Sequence, residues 1–300
     1  MLTRRRFLYT GAVTATCGSL AAADGFYRSN HPEVTDVEIF LSRLPEAFDG
    51  FTIAQLSDFH YEDHFSVNPI SKAVDVVNGL HPDLIVLTGD FVTVPLFTYH
   101  TAPARRAAAN AAPCAQALQQ LHGPAGVFAI LGNHDAGSDA GRIVEALESH
   151  RISVLLNRAI PIERGTARIW LSGIDDVLEG RPSLGRILNS IPQSETNILL
   201  AHEPDFADEI SRTTVDLQLS GHSHGGQVWI PGVGAPWLPQ LGRKYPRGIY
   251  KIRNLVLYTN IGIGTIRMPI RLNCPPEITL ITLRSGRGKP QAIRKDPNKL

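Results

Sequence analysis

Short apolar runs rich in β-branched and aliphatic residues recur along the chain at 51–55, 84–88, 127–131, 169–171, 198–200 and 217–219. Between several of them lie stretches with helical spacing, at 70–80, 114–121, 143–147, 184–188 and 206–210. Strands that alternate with helices in this way predict an α/β fold whose strands are largely buried. Beyond Gly225 the pattern changes to strands and turns, at 227–230, 255–259 and 277–283, punctuated by Pro and Gly. A polar linker is expected around 24–33. No repeat interrupts the pattern, apart from an alanine-rich patch at 102–112, and no linker divides it after residue 50, so one domain is expected.

The first 23 residues stand apart. Residues 3–9 read Thr-Arg-Arg-Arg-Phe-Leu-Tyr, and a weakly apolar run follows to Ala21-Ala22-Ala23. A basic start, a short hydrophobic stretch and a small-residue site are the marks of a secretory signal peptide. Arg4-Arg5 followed by Phe7-Leu8 is similar to the twin-arginine signal, whose clients are exported already folded. An ordinary basic-capped helix is the bland alternative, but Gly11, Thr14, Thr16, Gly18 and Ser19 make this a poor one. The run from Phe7 to Ala23 is about 17 residues, the lower limit for a membrane span, so an uncleaved anchor stays open. Lipid modification of Cys17 is a third reading, which the preceding residues fit poorly. The signal, the anchor and the lipid-modified reading each place the chain across the cytoplasmic membrane, in the periplasm or envelope, with the twin-arginine machinery as a transient partner.

Composition narrows the rest. With 300 residues, 43% apolar and 19% charged, the chain is neither disordered nor fibrous. The formal charge is only +1, and Arg4, Arg5 and Arg6 belong to the leader, so no basic face for nucleic acid is expected. Cys114 and Cys274 fall in no metal-binding spacing, and the sequence leaves open whether they are bridged.

Candidate chemistry collects directly after the predicted strands. Run 51–55 leads into Ser57-Asp58-Phe59-His60, 84–88 into Gly89-Asp90, and 127–131 into Gly132-Asn133-His134-Asp135. Run 198–200 leads into Ala201-His202, and 217–219 into Ser220-Gly221-His222-Ser223-His224. In an extended segment Asp58 and His60 project to the same side. Ligand sites in open α/β sheets lie beyond the carboxyl ends of strands. Of the 11 histidines, His60, His134, His202, His222 and His224 stand at such ends. Each motif alone is common; five in register with strand ends are not.

In this combination the sequence resembles the calcineurin-like metallophosphoesterases. Asp-x-His, Gly-Asp, Gly-Asn-His-Asp/Glu, a lone His and Gly-His-x-His occur in that order from Asp58 to His224, and the resemblance covers residues 50–284. The tracts from Gly221 to Gln227 and from Arg271 to Thr279 are similar to its exported bacterial branch. The resemblance implies a four-layer αββα sandwich of two mixed β-sheets flanked by helices, with every motif-bearing strand end on one rim. Residues 1–23 are then a signal or anchor, 24–49 a linker and first elements, 50–284 the phosphoesterase domain, and 285–300 a basic tail.

The ligand set makes chemical sense on its own. Asp58, His60 and His224 can hold one divalent ion and Asn133, His202 and His222 a second, with Asp90 as the carboxylate shared between them. Two ions ~3.5–4 Å apart clamp the attacking and leaving oxygens of a phosphoryl displacement, and coordination makes water nucleophilic near neutral pH. His134 is left to meet a phosphoryl oxygen or protonate the leaving group, and Asp135 to orient an imidazole. A mixed O/N set without thiolate admits Mn, Fe or Zn. Asn260–Gly264 is read as a glycine turn or a segment near the metals, and Asp175-Asp176 as a capped loop or an outlying carboxylate of the site.

The expected activity is therefore that of a dinuclear phosphohydrolase, most simply a phosphodiesterase or pyrophosphatase acting on envelope-associated, lipid-linked phosphoesters. The alternatives are a phosphomonoesterase and, more remotely, a non-catalytic metal-binding scaffold, which the complete ligand set disfavours. No Arg or Lys lies within two residues of a ligand from Asp58 to His224, which favours singly charged diesters over monoester dianions. Two apolar loops, 91–99 and 231–239, either pack on the domain or touch substrate. Arg243, Lys244 and Arg247 form the nearest basic cluster.

Overall fold

Two mixed β-sheets build the core. The computed structural model describes residue 19 and residues 22–95 and 97–294, so the segment read as a signal lies almost wholly outside the described residues. One sheet has seven strands in the order β13-β1-β12-β2-β3-β4-β5 and the other six in the order β10-β11-β9-β8-β7-β6. In the first, β2 (Thr52–Leu56), β3 (Leu84–Leu87), β4 (Val127–Ala129) and β5 (Ser153–Val154) run parallel, and β12 (Glu277–Ser285) pairs antiparallel with β2. In the second, β7 (Ala167–Gly173), β8 (Asn197–Leu200), β9 (Leu217–Ser220) and β11 (Leu255–Thr259) are parallel, edged by antiparallel β6 (Arg158–Arg164) and β10 (Gly248–Ile252).

The period-two geometry of a strand sets the layers. Leu84 and Val86 of β3 face the second sheet and meet Ile198, Leu200, Leu217 and Leu219 there. Ile85 and Leu87 point the other way, onto Ile70, Val74 and Val77 of the helix Val67–Leu80 and Cys114 and Leu118 of the helix Ala111–Leu118. The far face of the second sheet is covered by the helices Leu184–Leu188 and Ala207–Ile210, through Ile187, Ala207 and Ile210 on Leu199 and Leu257. Helix, sheet, sheet, helix: the four layers are as expected.

The fold is larger than the 50–284 span. β1 (Glu33–Leu41) lies parallel to β12 and buries Val34, Val37, Ile39 and Leu41; it is a first element that follows the polar stretch 24–33. β13 (Gln291–Arg294), in the expected tail, closes the edge against β1. Residues 227–230 form isolated bridges rather than a strand, from Val228 to Leu272 and from Ile230 to Gly234. Cys114 and Cys274 are both buried and form no disulfide. Among the described residues no helix is long and apolar enough to cross a membrane.

Candidate metal centre

The two sheets meet at the rim where β2, β3, β8 and β9 end. Gln55 at the end of β2 donates to Ser220 O at the end of β9 (2.9 Å), tying the sheets together there. Beyond the strands the chain must turn sharply, and it does so through left-handed residues. Asp58, His60, Asp90, His222 and His224 have φ of 53°, 43°, 58°, 67° and 51°. Such values are uncommon outside glycine and mark functional sites when the surroundings enforce them. Asp58 and His60 thus share a pocket, as expected, but through tight turns rather than extended backbone. The glycine before His222 is demanded by space: a Cβ on Gly221 would lie 1.9 Å from Ser57 Oγ and 2.5 Å from Asp58 Oδ2.

The carboxylates and imidazoles form two groups with one member in common. Donor atoms of Asp58, His60, Asp90 and His224 lie within 4.8 Å of one another, as do those of Asp90, His202 and His222. Within the first, His60 Nε2 is 3.0 Å from His224 Nε2, and His224 Nε2 is 3.4 Å from Asp58 Oδ1. Asp90 Oδ2 reaches both sides, 3.5 Å from His60 Nε2 and 3.2 Å from His202 Nε2. Asn133 Oδ1 joins the second group 3.0 Å from His222 Nδ1. All seven side chains are buried.

His60, His202 and His222 are held by the nitrogen that does not face the group, whereas His224 Nδ1 is buried without a hydrogen bond. His202 Nδ1 donates to Thr88 O (2.6 Å), and His222 Nε2 donates to Gln240 O (2.7 Å). His60 Nδ1 lies 3.2 Å from Thr93 Oγ1. Contacts of this kind fix the tautomer and leave the inward nitrogen bare to ligate. His202 Nε2 is buried without a hydrogen bond and faces Asp90 Oδ2 at 3.2 Å, a buried acid–base pair in which a divalent ion would replace the proton. Burial pushes the imidazoles of His60 and His222 down to about 3, and that of His224 well below its ordinary value, into their neutral, ligating forms. It pushes the Asp58 carboxyl up to about 7. Asp90 and His202 move the other way: burial opposes it, but their mutual attraction keeps the carboxyl low and the imidazole high. Facing imidazole nitrogens and buried carboxylates suit divalent cations.

His134 stands at the edge of both groups. Its backbone N–H donates to Asp90 Oδ1 (2.9 Å), and its Nδ1 accepts from Val94 N (2.8 Å). Accepting at Nδ1 leaves the ring proton on Nε2, which lies 3.4 Å from Tyr99 OH. Asp135 orients no imidazole. Its Oδ1 accepts from Phe91 N and Val92 N (2.9 and 3.2 Å) and its Oδ2 from Gly132 N (3.0 Å), joining the two loops that carry Asp90 and Asn133.

A cavity of about 550 Å³ opens over the groups. Asp90, Asn133, His134, His222 and His224 form its floor, and Val94, Pro95, Leu178, Trp237, Pro239 and Ile266 its apolar walls. Among the described residues its one basic lining residue is Arg267, whose guanidinium stacks 5.0 Å over the Trp237 ring. Arg243, Lys244 and Arg247 do not line it. Lys244 pairs with Asp208 (2.7 Å), and Arg247 stacks on Trp229 at 3.5 Å. Of the two apolar loops, 91–99 divides: Phe91 packs in the core on Phe59, while Val94, Pro95 and Tyr99 line the cavity.

Thr88, Gln240 and Arg267 carry no motif and are not marked out by the sequence, whereas Thr93 and Tyr99 fall in loop 91–99, which is. The only available signal was the apolar and aromatic content of the two loops. Asn260–Gly264 does lie against the site, with Gly264 N donating to Asp58 O (2.7 Å). Arg271, fully buried, fixes that turn by donating to the carbonyls of Ile261, Gly264 and Cys274. Asp175 and Asp176 cap their own loop, accepting from the backbone of residues 176–181.

An αββα sandwich with shared carboxylate–imidazole groups on its rim defines a metal-dependent phosphoester hydrolase. The calcineurin-like phosphoesterase family model matches residues 51–226, and the chain belongs to that family. It is similar to YkuE, an uncharacterised metallophosphoesterase of Bacillus subtilis, with 33% identity over 95% of this chain and 98% of that one. The phosphodiesterase YaeI of Escherichia coli is 32% identical over 94% of this chain and 100% of its own. A transmembrane protein with a metallophosphoesterase domain from Danio rerio is 31% identical over 92% of this chain and 61% of its own.

Proposed function

We propose that the chain is an exported phosphodiesterase that works with two divalent ions, Mn, Fe or Zn, on phosphodiesters or pyrophosphates held at the cell envelope. Asp58, His60, Asp90 and His224 would hold one ion, and Asp90, Asn133, His202 and His222 the other. Such a pair supplies charge neutralisation at phosphorus and an activated water. Asp90, common to both groups, keeps the ligands in one frame. His134 presents Nε2–H to a phosphoryl or leaving oxygen, its ring locked by Val94 N. Asn133 Nδ2 donates to Tyr99 OH (3.0 Å), which fixes the amide with Oδ1 turned to the His222 side. Export and the twin-arginine route rest on the Arg4-Arg5 leader.

The lining of the cavity carries the diester reading. Arg267 is the single cation among its described lining residues, held on Trp237, whereas Glu62 and Glu179 add negative charge to the walls. A monoester dianion would lack the extra cationic donors that offset its second charge, while a diester monoanion with an apolar group fits the walls. The name of the relative YaeI agrees with this reading. With metal-loaded protein, an aryl phosphodiester should be hydrolysed with a higher kcat/KM than the matching monoester. A preference for the monoester under the same metal and pH would put the phosphomonoesterase reading first.

A further inference from the structure

Large exposed apolar side chains are distributed unevenly over the described surface. Apart from Ile293 on β13, all of them lie on segments that border the cavity mouth or pack on its border. Phe97, 94% exposed, projects between Pro95 and Tyr99 of the wall. Val233, 78% exposed, tips the tight turn from Ile230 to Gly234 on the loop that brings Trp237, itself 51% exposed, to the cavity. Met268, 61% exposed, follows Arg267 and shares a small side pocket with the half-exposed Phe65. These side chains sit on separate loops around an opening rather than in one groove, so a single folded partner would have to meet several tips at once. A fluid surface meets them all.

The course of the chain points the same way. The apolar run 7–23 leads into residues 22–29, which are helical and dock on the border of the mouth. Ser29 Oγ donates to Pro269 O (3.1 Å), Arg271 N donates to Gly25 O (3.0 Å), and Phe26 and Tyr27 remain exposed beside them. Exposed Trp and Tyr beside Arg are what the bilayer interface favours, because an amphipathic ring sits at headgroup depth and a guanidinium reaches phosphate.

We propose that the cavity mouth is a bilayer-docking face: Phe97, Val233, Trp237 and Met268 enter the interface and set the metal groups over phosphoesters held in the membrane. For its substrate this rests on the envelope reading above; the docking itself does not. Glu62 and Asp63 beside Phe65 add negative charge to the border, so docking depends on apolar insertion and should survive high salt.

The test uses the full chain on vesicles of phosphatidylethanolamine and phosphatidylglycerol carrying brominated phosphatidylcholine. Because the N-terminal run can hold the chain on vesicles by itself, the readout is the depth of the mouth, followed by quenching of Trp237. Quenching is expected in the unaltered chain at low and high salt. It should disappear in Trp237→Phe and fall several-fold in the combined variant Phe97→Ser, Val233→Ser, Met268→Ser. Absent quenching, or quenching equal in the combined variant, overturns the proposal. So does a lipid-free dimer that the combined variant dissolves while Trp237 stays unquenched on vesicles, since the patch would then be a contact between copies. Hydrolysis of a soluble aryl phosphodiester, run in parallel, should be unchanged in the combined variant. If no form hydrolyses it while quenching persists, the docking stands and the phosphodiesterase reading fails.

Discussion

Asp90→Ala should lower bound metal from about two equivalents per chain to one or fewer and abolish measurable turnover. Asp90 Oδ2 faces His60 on one side and His202 on the other, and no other carboxylate belongs to both groups. On the proposed two-ion reading, removing it strips a ligand from each site and the negative charge that would let two dications sit close together. A metal pair is worth several kcal/mol of transition-state stabilisation, so the loss should reach about a thousandfold or more. Elemental analysis after gel filtration reads the occupancy, and stopped turnover of an aryl phosphodiester reads the rate. Asp90 also accepts the His134 backbone N–H, so the variant should be checked by circular dichroism for an intact fold. A full metal complement with normal turnover would remove Asp90 from the bridging position.

His134→Ala should separate binding from chemistry. The ring is no member of either metal group, so both ions should remain bound. The kcat should nevertheless fall by roughly 10²–10⁴-fold, about 3–5 kcal/mol of barrier. With Nδ1 accepting from Val94 N, the ring offers a hydrogen bond from Nε2 rather than a ready proton. His134→Gln keeps a donor without imidazole acid–base chemistry, and it should recover about tenfold over alanine, the worth of one hydrogen bond. Loss of metal from His134→Ala would make the residue a ligand or a structural strut. Glutamine no better than alanine would return it to proton transfer.

Much of this site was legible because its ligands follow strands that are short, apolar and easy to find. Asp58, Asp90, Asn133, His202 and His222 are positioned by strand ends, and a strand end can be read from sequence. What positions them in detail cannot. Thr88 and Gln240 act through backbone carbonyls, which any residue type supplies, so no side-chain pattern announces them. Arg267 reaches the cavity from more than forty positions beyond His224, by a loop that the buried Arg271 holds in place. Nearness to the ligands in sequence is therefore no guide to the one cation that lines the cavity among the described residues. β1 was hidden for a different reason: its alternating buried positions stand among Glu33, Asp36 and Glu38, so its composition reads as polar although one face is core. Asp135 illustrates the converse. Its place in the motif suggested catalysis, but three backbone amides occupy its oxygens.

On the proposed reading Asp90 joins two metal sites on this rim. Crystals of the unaltered protein grown with Mn²⁺ would test it directly through an anomalous difference map. Two peaks are expected, one among Asp58, His60, Asp90 and His224 and the other among Asp90, Asn133, His202 and His222. A single peak at saturating Mn²⁺, or two peaks without Asp90 between them, would contradict it.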